Sequence, residues 1–307
     1  MRSFTHLTPP RLAAPSREGV GPEAEEELAA YAGLVGSRTA YVLGGGGVLG
    51  ASQVGMVRAL AEAGIVPDLV VGTSIGALNG AFIAADPSVE GAERLAEVWK
   101  EVVREGVLWE RPVRKAARIA RNPTHLLTHA PLATVIDRYL PLERIEDLNV
   151  PFQCVAARLE DASAMWFSHG PIRPAVLASC SVPGLFPPVA IDGSHYLDGG
   201  LVHSIPVGRA IDLGADEIYV LQVGRVEQGL AVPRAPWDVA AVAFEISRRH
   251  RYVEEITRVP DSIALHVLPS GASGAPTVSL AQARGRKMRD RMDAAYDAST
   301  NYLDAQD

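Results

Sequence analysis

From Thr39 onward the chain alternates short apolar runs with longer stretches whose apolar residues recur at helical spacing. Thr39 to Leu43 and Asp68 to Val71 read as buried strands, because each run is brief and a glycine follows it. Ala51 to Ala63 reads as a helix closed by Gly64, and Ile75 to Ala85 as a second, ending before Asp86-Pro87. Glu90 to Leu148 reads as helices joined by loops. Pro151 to Ala157 and Ala164 to Ser168 return to strand character. Pro188 to Ile191 and Ser194 to Leu197 predict a hairpin about Asp192-Gly193, a pair suited to a type I′ turn. Glu217 to Val223 and Ser262 to Leu268 are further strands, while Trp237 to Val259 and Val278 to Leu303 are helices. Ahead of all this, Met1 to Gly21 reads as a loose arm, and Pro22 to Leu34 as a helix with acids in its first turns. Strands alternating with helices predict an α/β fold, a mostly parallel central sheet covered on both faces.

Composition narrows the function classes without naming one. With 307 residues, 48% of them hydrophobic and 21% charged, the chain can bury a sizeable core. A net charge of -7, from 36 acids against 29 bases, argues against a general nucleic-acid binder. Cys154 and Cys180 are the only cysteines, which excludes a disulfide framework or a four-cysteine zinc site. His125 and His129 are four apart, but no Cys or acid completes a metal set beside them, so no metal is expected. No run is apolar enough to span a bilayer, and Met1 to Ser16 lacks the apolar segment of a secretory signal. Cytoplasmic residence is the expectation.

The abundant glycine points to chemistry. Two glycine-rich turns each join a strand to a helix: Gly44 to Gly50, and Gly72-Thr73-Ser74-Ile75-Gly76. The first fits the dinucleotide pattern G-x-G-x-x-G through Gly45, Gly47 and Gly50. That reading needs an acid at the end of the next strand, where this chain has Gly72-Thr73-Ser74; Asp68 lies at the wrong end. A Walker-type phosphate loop fails because no Gly-Lys-Ser or Gly-Lys-Thr follows. The second turn fits G-x-S-x-G, a sharp strand-to-helix turn that exposes a serine hydroxyl. The positive end of the helix beginning at Ile75 points at it. Ser74 as a plain helix cap is the alternative.

A serine nucleophile needs a base and an oxyanion site. Free N–H groups of Gly46 and Gly47 are best placed for the second. For the base, the hairpin delivers Asp198-Gly199-Gly200 at a strand end, where two glycines allow close approach. His195 and His203 flank the acid, so a Ser-Asp-His triad is weighed too. His203 is too close in sequence to Asp198 for the usual separate loops, and His195 has the opposite strand parity.

These residues resemble the patatin-like phospholipases, lipid acyl hydrolases that use a Ser-Asp dyad. Gly44 to Gly50 resembles the family's oxyanion loop, and Gly72 to Asn79 its nucleophile elbow. Asp198-Gly199-Gly200 resembles its aspartate block, with Ala178 to Pro188 resembling the segment before it. The resemblance runs from about Thr39 to about Val223. It implies a three-layer α/β/α fold, with an N-terminal arm and helix over 1–37 and a catalytic domain over 38–307. It also implies Ser74 as nucleophile, Asp198 as base, and Gly46 and Gly47 as oxyanion donors. Gly45, Gly50, Gly72, Gly76, Gly199 and Gly200 would support the turns. No cofactor or metal is implied, and the substrate would be a lipid or other acyl ester. Leu49 stands where the family usually has Arg or Lys. A basic residue there would contact a lipid phosphate or brace the loop, so the headgroup stays open.

Arg111, Arg114, Lys115, Arg118 and Arg121 recur at helical spacing. Such a face is either solvated or laid against an anionic membrane as a peripheral contact. Arg248, Arg249, His250 and Arg251 lie near Glu245, Glu254 and Glu255, and read as intrahelical ion pairs.

Overall fold

A computed structural model describes residues 38–107, 124–223, 229–230, 232–233, 236–271 and 285–306. The expected Pro22 to Leu34 helix and the Arg111 to Arg121 basic stretch lie outside the described residues.

Eight strands form the sheet: β1 (Thr39–Leu43), β2 (Leu69–Thr73), β3 (Phe152–Arg158), β4 (Ala164–Phe167), β5 (Val189–Ile191), β6 (Ser194–Asp198), β7 (Glu217–Leu221) and β8 (Ala264–Val267). The described helices are α1 (Ala51–Glu62), α2 (Ile75–Ala85), α3 (Val89–Arg104), α4 (Ala130–Tyr139), α5 (Ile172–Ser179), α6 (Val207–Asp212), α7 (Pro236–Ile256) and α8 (Gly285–Asp304). The pairing path is β5-β6-β3-β2-β1-β7-β8, with β4 joined to β3. Strands β3, β2, β1, β7 and β8 run parallel, while β4, β5 and β6 pair antiparallel.

Strand alternation divides the core between the two faces. Tyr41 and Leu43 of β1 join the buried cluster that includes α1, α2 and α3 residues. Ala40 and Val42 join the cluster that includes Ala210 of α6 and Tyr252 of α7. Successive strand side chains point to opposite faces, so an apolar run such as β1 must be covered twice. Every residue of α2 is buried. A helix apolar all round belongs in the middle of a domain, and α2 lies against β2, β3, α3 and α5. Each large side chain it buries, Leu78 and Phe82 among them, contributes about 1.5–3 kcal/mol.

The expected hairpin forms between β5 and β6, with Asp192 at φ 48° and Gly193 at φ 82°. Positive φ at both turn positions is what a type I′ turn requires. Strand boundaries elsewhere shift by a residue or two, as at β3, which runs on to Arg158; α7 ends at Ile256, three residues before the expected Val259, and the expected start of the last helix at Val278 lies outside the described residues.

The register on β3 sets up the site. Val155 pairs with Thr73 of β2 and with Trp166 of β4, which therefore lie on opposite flanks. Ala156, the next residue, pairs with Met165 of β4 and Asp198 of β6. Strands β2 and β6 therefore share one flank of β3. They run toward each other and meet where Thr73 ends and Asp198 begins to turn.

Candidate active site

Ser74 is the residue that leaves β2 for α2, and it does so at φ 56° and ψ −125°. A residue with a Cβ populates that region only when its surroundings force it, at a cost of about 1–3 kcal/mol. The surroundings here are two backbone contacts that only glycine permits. A Cβ on Gly72 would lie 2.4 Å from the Gly76 carbonyl oxygen, and one on Gly76 would lie 2.3 Å from that of Leu43. Strand and helix thus approach until their backbones touch, and the serine sits on the turn between them; its hydroxyl, expected to be exposed, is buried, the residue being 7% exposed. The Ser74 N–H donates to Ser179 Oγ at 2.9 Å.

The Ser74 hydroxyl donates to Asp198 Oδ2 at 2.6 Å, across 124 residues of sequence. The other carboxylate oxygen, Oδ1, accepts from the Gly200 N–H at 2.7 Å. Gly199 lies directly on the Val155 backbone, which turns the chain sharply after the acid. Asp198 is 1% exposed. Burial pushes its carboxyl up, and the Ser74 hydroxyl, the Gly200 N–H and the charge of Arg248 pull it partly back, leaving it at about 6. An acid at that value is ionised at neutral pH yet still basic enough to accept a proton.

The glycine loop flanks this pair. Gly44 and Gly45 donate their N–H groups to the Leu221 and Ser204 carbonyls. The N–H groups of Gly46 and Gly47 have no partner among the described residues. Gly47 has φ 55° with open space beyond its Cα, while Gly46 is held against Val223. Gly45 lies against the Ser74 side chain. Gly50 offers its carbonyl to Asn79 Nδ2 at 3.0 Å.

The flanking histidines do not join the pair. His195 meets Glu160 at 3.0 Å on the exposed side of β6, and His203 meets Glu255 at 2.8 Å. Neither bonds Ser74 or Asp198. Burial pushes both cysteine thiols up, so neither is a thiolate at neutral pH. No group of three metal-ligating side chains occurs among the described residues. No described helix is long and apolar enough to cross a membrane.

Residues 41–211 match the family described as patatin-like phospholipase. The chain belongs to the patatin-like phospholipase family. It is 35% identical over 194 residues to "Lysophospholipase nte1" of Aspergillus terreus, covering 63% of this chain. It is 34% identical over 195 residues to "Lysophospholipase NTE1" of Phaeosphaeria nodorum, covering 64%. The aligned segment spans 12% of each relative's length. Among solved structures, VipD from Legionella pneumophila superposes with a TM-score of 0.45 at 15% identity, over 88% of this chain and 67% of that one.

In this patatin-like chain Leu49 points inward and is 7% exposed, so the loop itself carries no cation at that position. Two sets of contacts around the loop have no counterpart in the sequence patterns. The first is a buried chain of side chains: Trp99 Nε1 donates to Asn79 Oδ1, and Asn79 Nδ2 to Gln53 Oε1. Gln53 Nε2 in turn donates to the Gly44 carbonyl at 2.9 Å. The second is Arg248 of α7. It pairs with Glu245 as expected, and it also reaches the Gly45 carbonyl at 3.1 Å. A Glu three residues before an Arg looks the same in sequence whether the arginine is solvated or buried. Only the 8% exposure of Arg248 separates the cases.

Proposed function

We propose that this chain is a serine acyl hydrolase that cleaves fatty-acyl esters of lipids through a Ser74–Asp198 dyad. The observation that carries it is the 2.6 Å hydrogen bond from Ser74 Oγ, held at a strained turn, to a buried carboxylate. Asp198 takes the hydroxyl proton as Ser74 attacks the ester carbonyl. The Gly46 and Gly47 N–H groups hold the oxyanion, aided by the positive end of α2. The alcohol leaves with the proton, giving an acyl-enzyme. Water, deprotonated by Asp198, then releases the fatty acid and restores Ser74. The lysophospholipase names of the relatives support a lysophospholipid as first substrate to try. Buried Leu49 supports testing neutral acyl esters beside it.

The test is fluorophosphonate labelling together with hydrolysis of short p-nitrophenyl esters and of lysophosphatidylcholine. Ser74→Ala is expected to lose labelling and turnover, Asp198→Ala to lose turnover, and His203→Ala to keep both. Labelling that survives Ser74→Ala would sink the nucleophile assignment, and turnover lost with His203→Ala would replace the dyad with a triad.

A further inference from the structure

We propose that Arg248 is a positioning residue for the oxyanion loop, a guanidinium supplied from α7 that locks the Gly45–Gly46 peptide with its N–H toward Ser74. The inference rests on the role proposed above for the Gly46 N–H.

The carbonyl of Gly45 and the N–H of Gly46 belong to one planar peptide unit, so they point in opposite directions. Whatever holds the carbonyl therefore aims the N–H. Glycine stands on both sides of this peptide, and glycine offers little steric resistance to rotation about its flanking bonds. Left alone, the unit could flip and exchange the places of its carbonyl and its N–H. Arg248 Nη1 donates to that carbonyl at 3.1 Å and to Ser204 Oγ at 3.2 Å. Ser204 grips the same glycine from its other end, because its carbonyl accepts the Gly45 N–H at 3.0 Å. The guanidinium cannot swing away. Its Nε and Nη2 form a two-point fork with Glu245, at 2.9 and 2.8 Å. Glu245 is in turn held by Arg249 Nε at 2.8 Å.

Burying this ion pair against a backbone carbonyl is a costly way to gain stability, since the desolvation of both charges opposes their attraction. Fixing a geometry is a use that justifies the arrangement. The planar fork suits it, because two donors engage Glu245 while a third faces the loop. Leu49 sharpens the case. The loop carries a buried leucine there and no cation of its own, and α7 brings one to the Gly45 carbonyl.

The test uses the full chain with Arg248→Met, Arg248→Lys, Arg248→Ala and, as a control on the exposed side of the same helix, Arg251→Met. Fluorophosphonate titration counts competent sites, so turnover is expressed per folded site. Arg248→Met is expected to lower kcat on the order of 10²-fold, the usual effect of losing an oxyanion donor. KM should change by less than about threefold, because the interaction is made in the transition state. Arg248→Lys keeps the charge but not the fork and should fall between. Millimolar ethylguanidinium should restore part of the Arg248→Ala turnover and leave Arg251→Met unchanged. With the cation gone, the acid limb of the pH–rate profile should also move upward. A kcat for Arg248→Met and Arg248→Lys within about threefold of wild type, with Ser74→Ala inactive, would overturn the clamp and leave the hydrolase reading standing. Turnover that persists in Ser74→Ala would remove the reading on which it rests.

Discussion

Replacing Asp198 by Asn should make the protein more stable at neutral pH while abolishing turnover. The side chain is 1% exposed and its carboxyl is pushed from 3.8 to about 6, first by burial. A tenfold change in proton affinity is worth about 1.4 kcal/mol, so keeping the carboxylate charged in the folded state costs about 3 kcal/mol. The sign follows from proton uptake. Below pH 3.8 the carboxyl is neutral in both states and the cost is absent. As pH rises toward 6, the folded chain holds a proton that the unfolded chain has released, so wild-type stability falls. Above that value the full cost is present. Asparagine keeps an acceptor for the Gly200 N–H and can donate to the Ser74 hydroxyl, so the comparison isolates the charge. Urea unfolding of both proteins from about pH 4 to pH 8 measures the difference. The stability gain of Asp198→Asn should grow from near zero to about 3 kcal/mol across that window. A difference that does not vary with pH, or a variant less stable than wild type at pH 8, would refute the reasoning.

As the proposed base, the same carboxylate should set an acid limb near pH 6 in kcat/KM, with activity rising as pH increases; stopped assays on a p-nitrophenyl ester would show it. Ser74→Gly should abolish turnover with little change in melting temperature, since relief of a φ of 56° that costs serine about 1–3 kcal/mol is offset by the hydrogen bond lost to the buried Asp198 carboxylate. Gly76→Ala should lose more than about 3 kcal/mol or fail to accumulate as folded protein, because its Cβ would strike the Leu43 carbonyl at 2.3 Å; denaturant melts and soluble yield report this. Trp99→Phe strands the buried Asn79 Oδ1 and should cost about 1–3 kcal/mol in unfolding free energy, with a smaller loss of kcat as the glycine loop loosens.

The parts of this molecule that were legible in sequence are those specified over a few neighbouring residues. Apolar runs ending in glycine marked β1 and β2, and Asp192-Gly193 marked the β5–β6 turn, because positive φ restricts residue choice on the spot. Ser74 could be picked out because the strained elbow demands glycine two residues to either side. Asp198 was harder. Its neighbours suggested a turn, but its approach to Ser74 depends on the pairing of Ala156, a residue with no distinguishing chemistry. Arg248 is legible only in part. Its bonds to Glu245 are local and were expected, whereas its bond to Gly45 spans 203 residues and leaves no mark on spacing. Ser179, which accepts the Ser74 N–H, lay inside a matched segment, yet no pattern told it from an ordinary helix-end serine.

The head-on meeting of β2 and β6 along one flank of β3 has a consequence for how the molecule is made. During synthesis the serine turn is complete once α2 has emerged, but nothing near it in sequence can activate it. Its carboxylate follows 124 residues later, and the guanidinium over the glycine loop comes later still, on α7. Under the proposed dyad, a partly translated chain therefore carries an ordinary alcohol, not a primed one. Long-range closure of this kind slows folding. In exchange, the serine turn, its carboxylate and the guanidinium over the glycine loop come together only after α7 has left the ribosome, so the proposed site and the sheet that carries it form together.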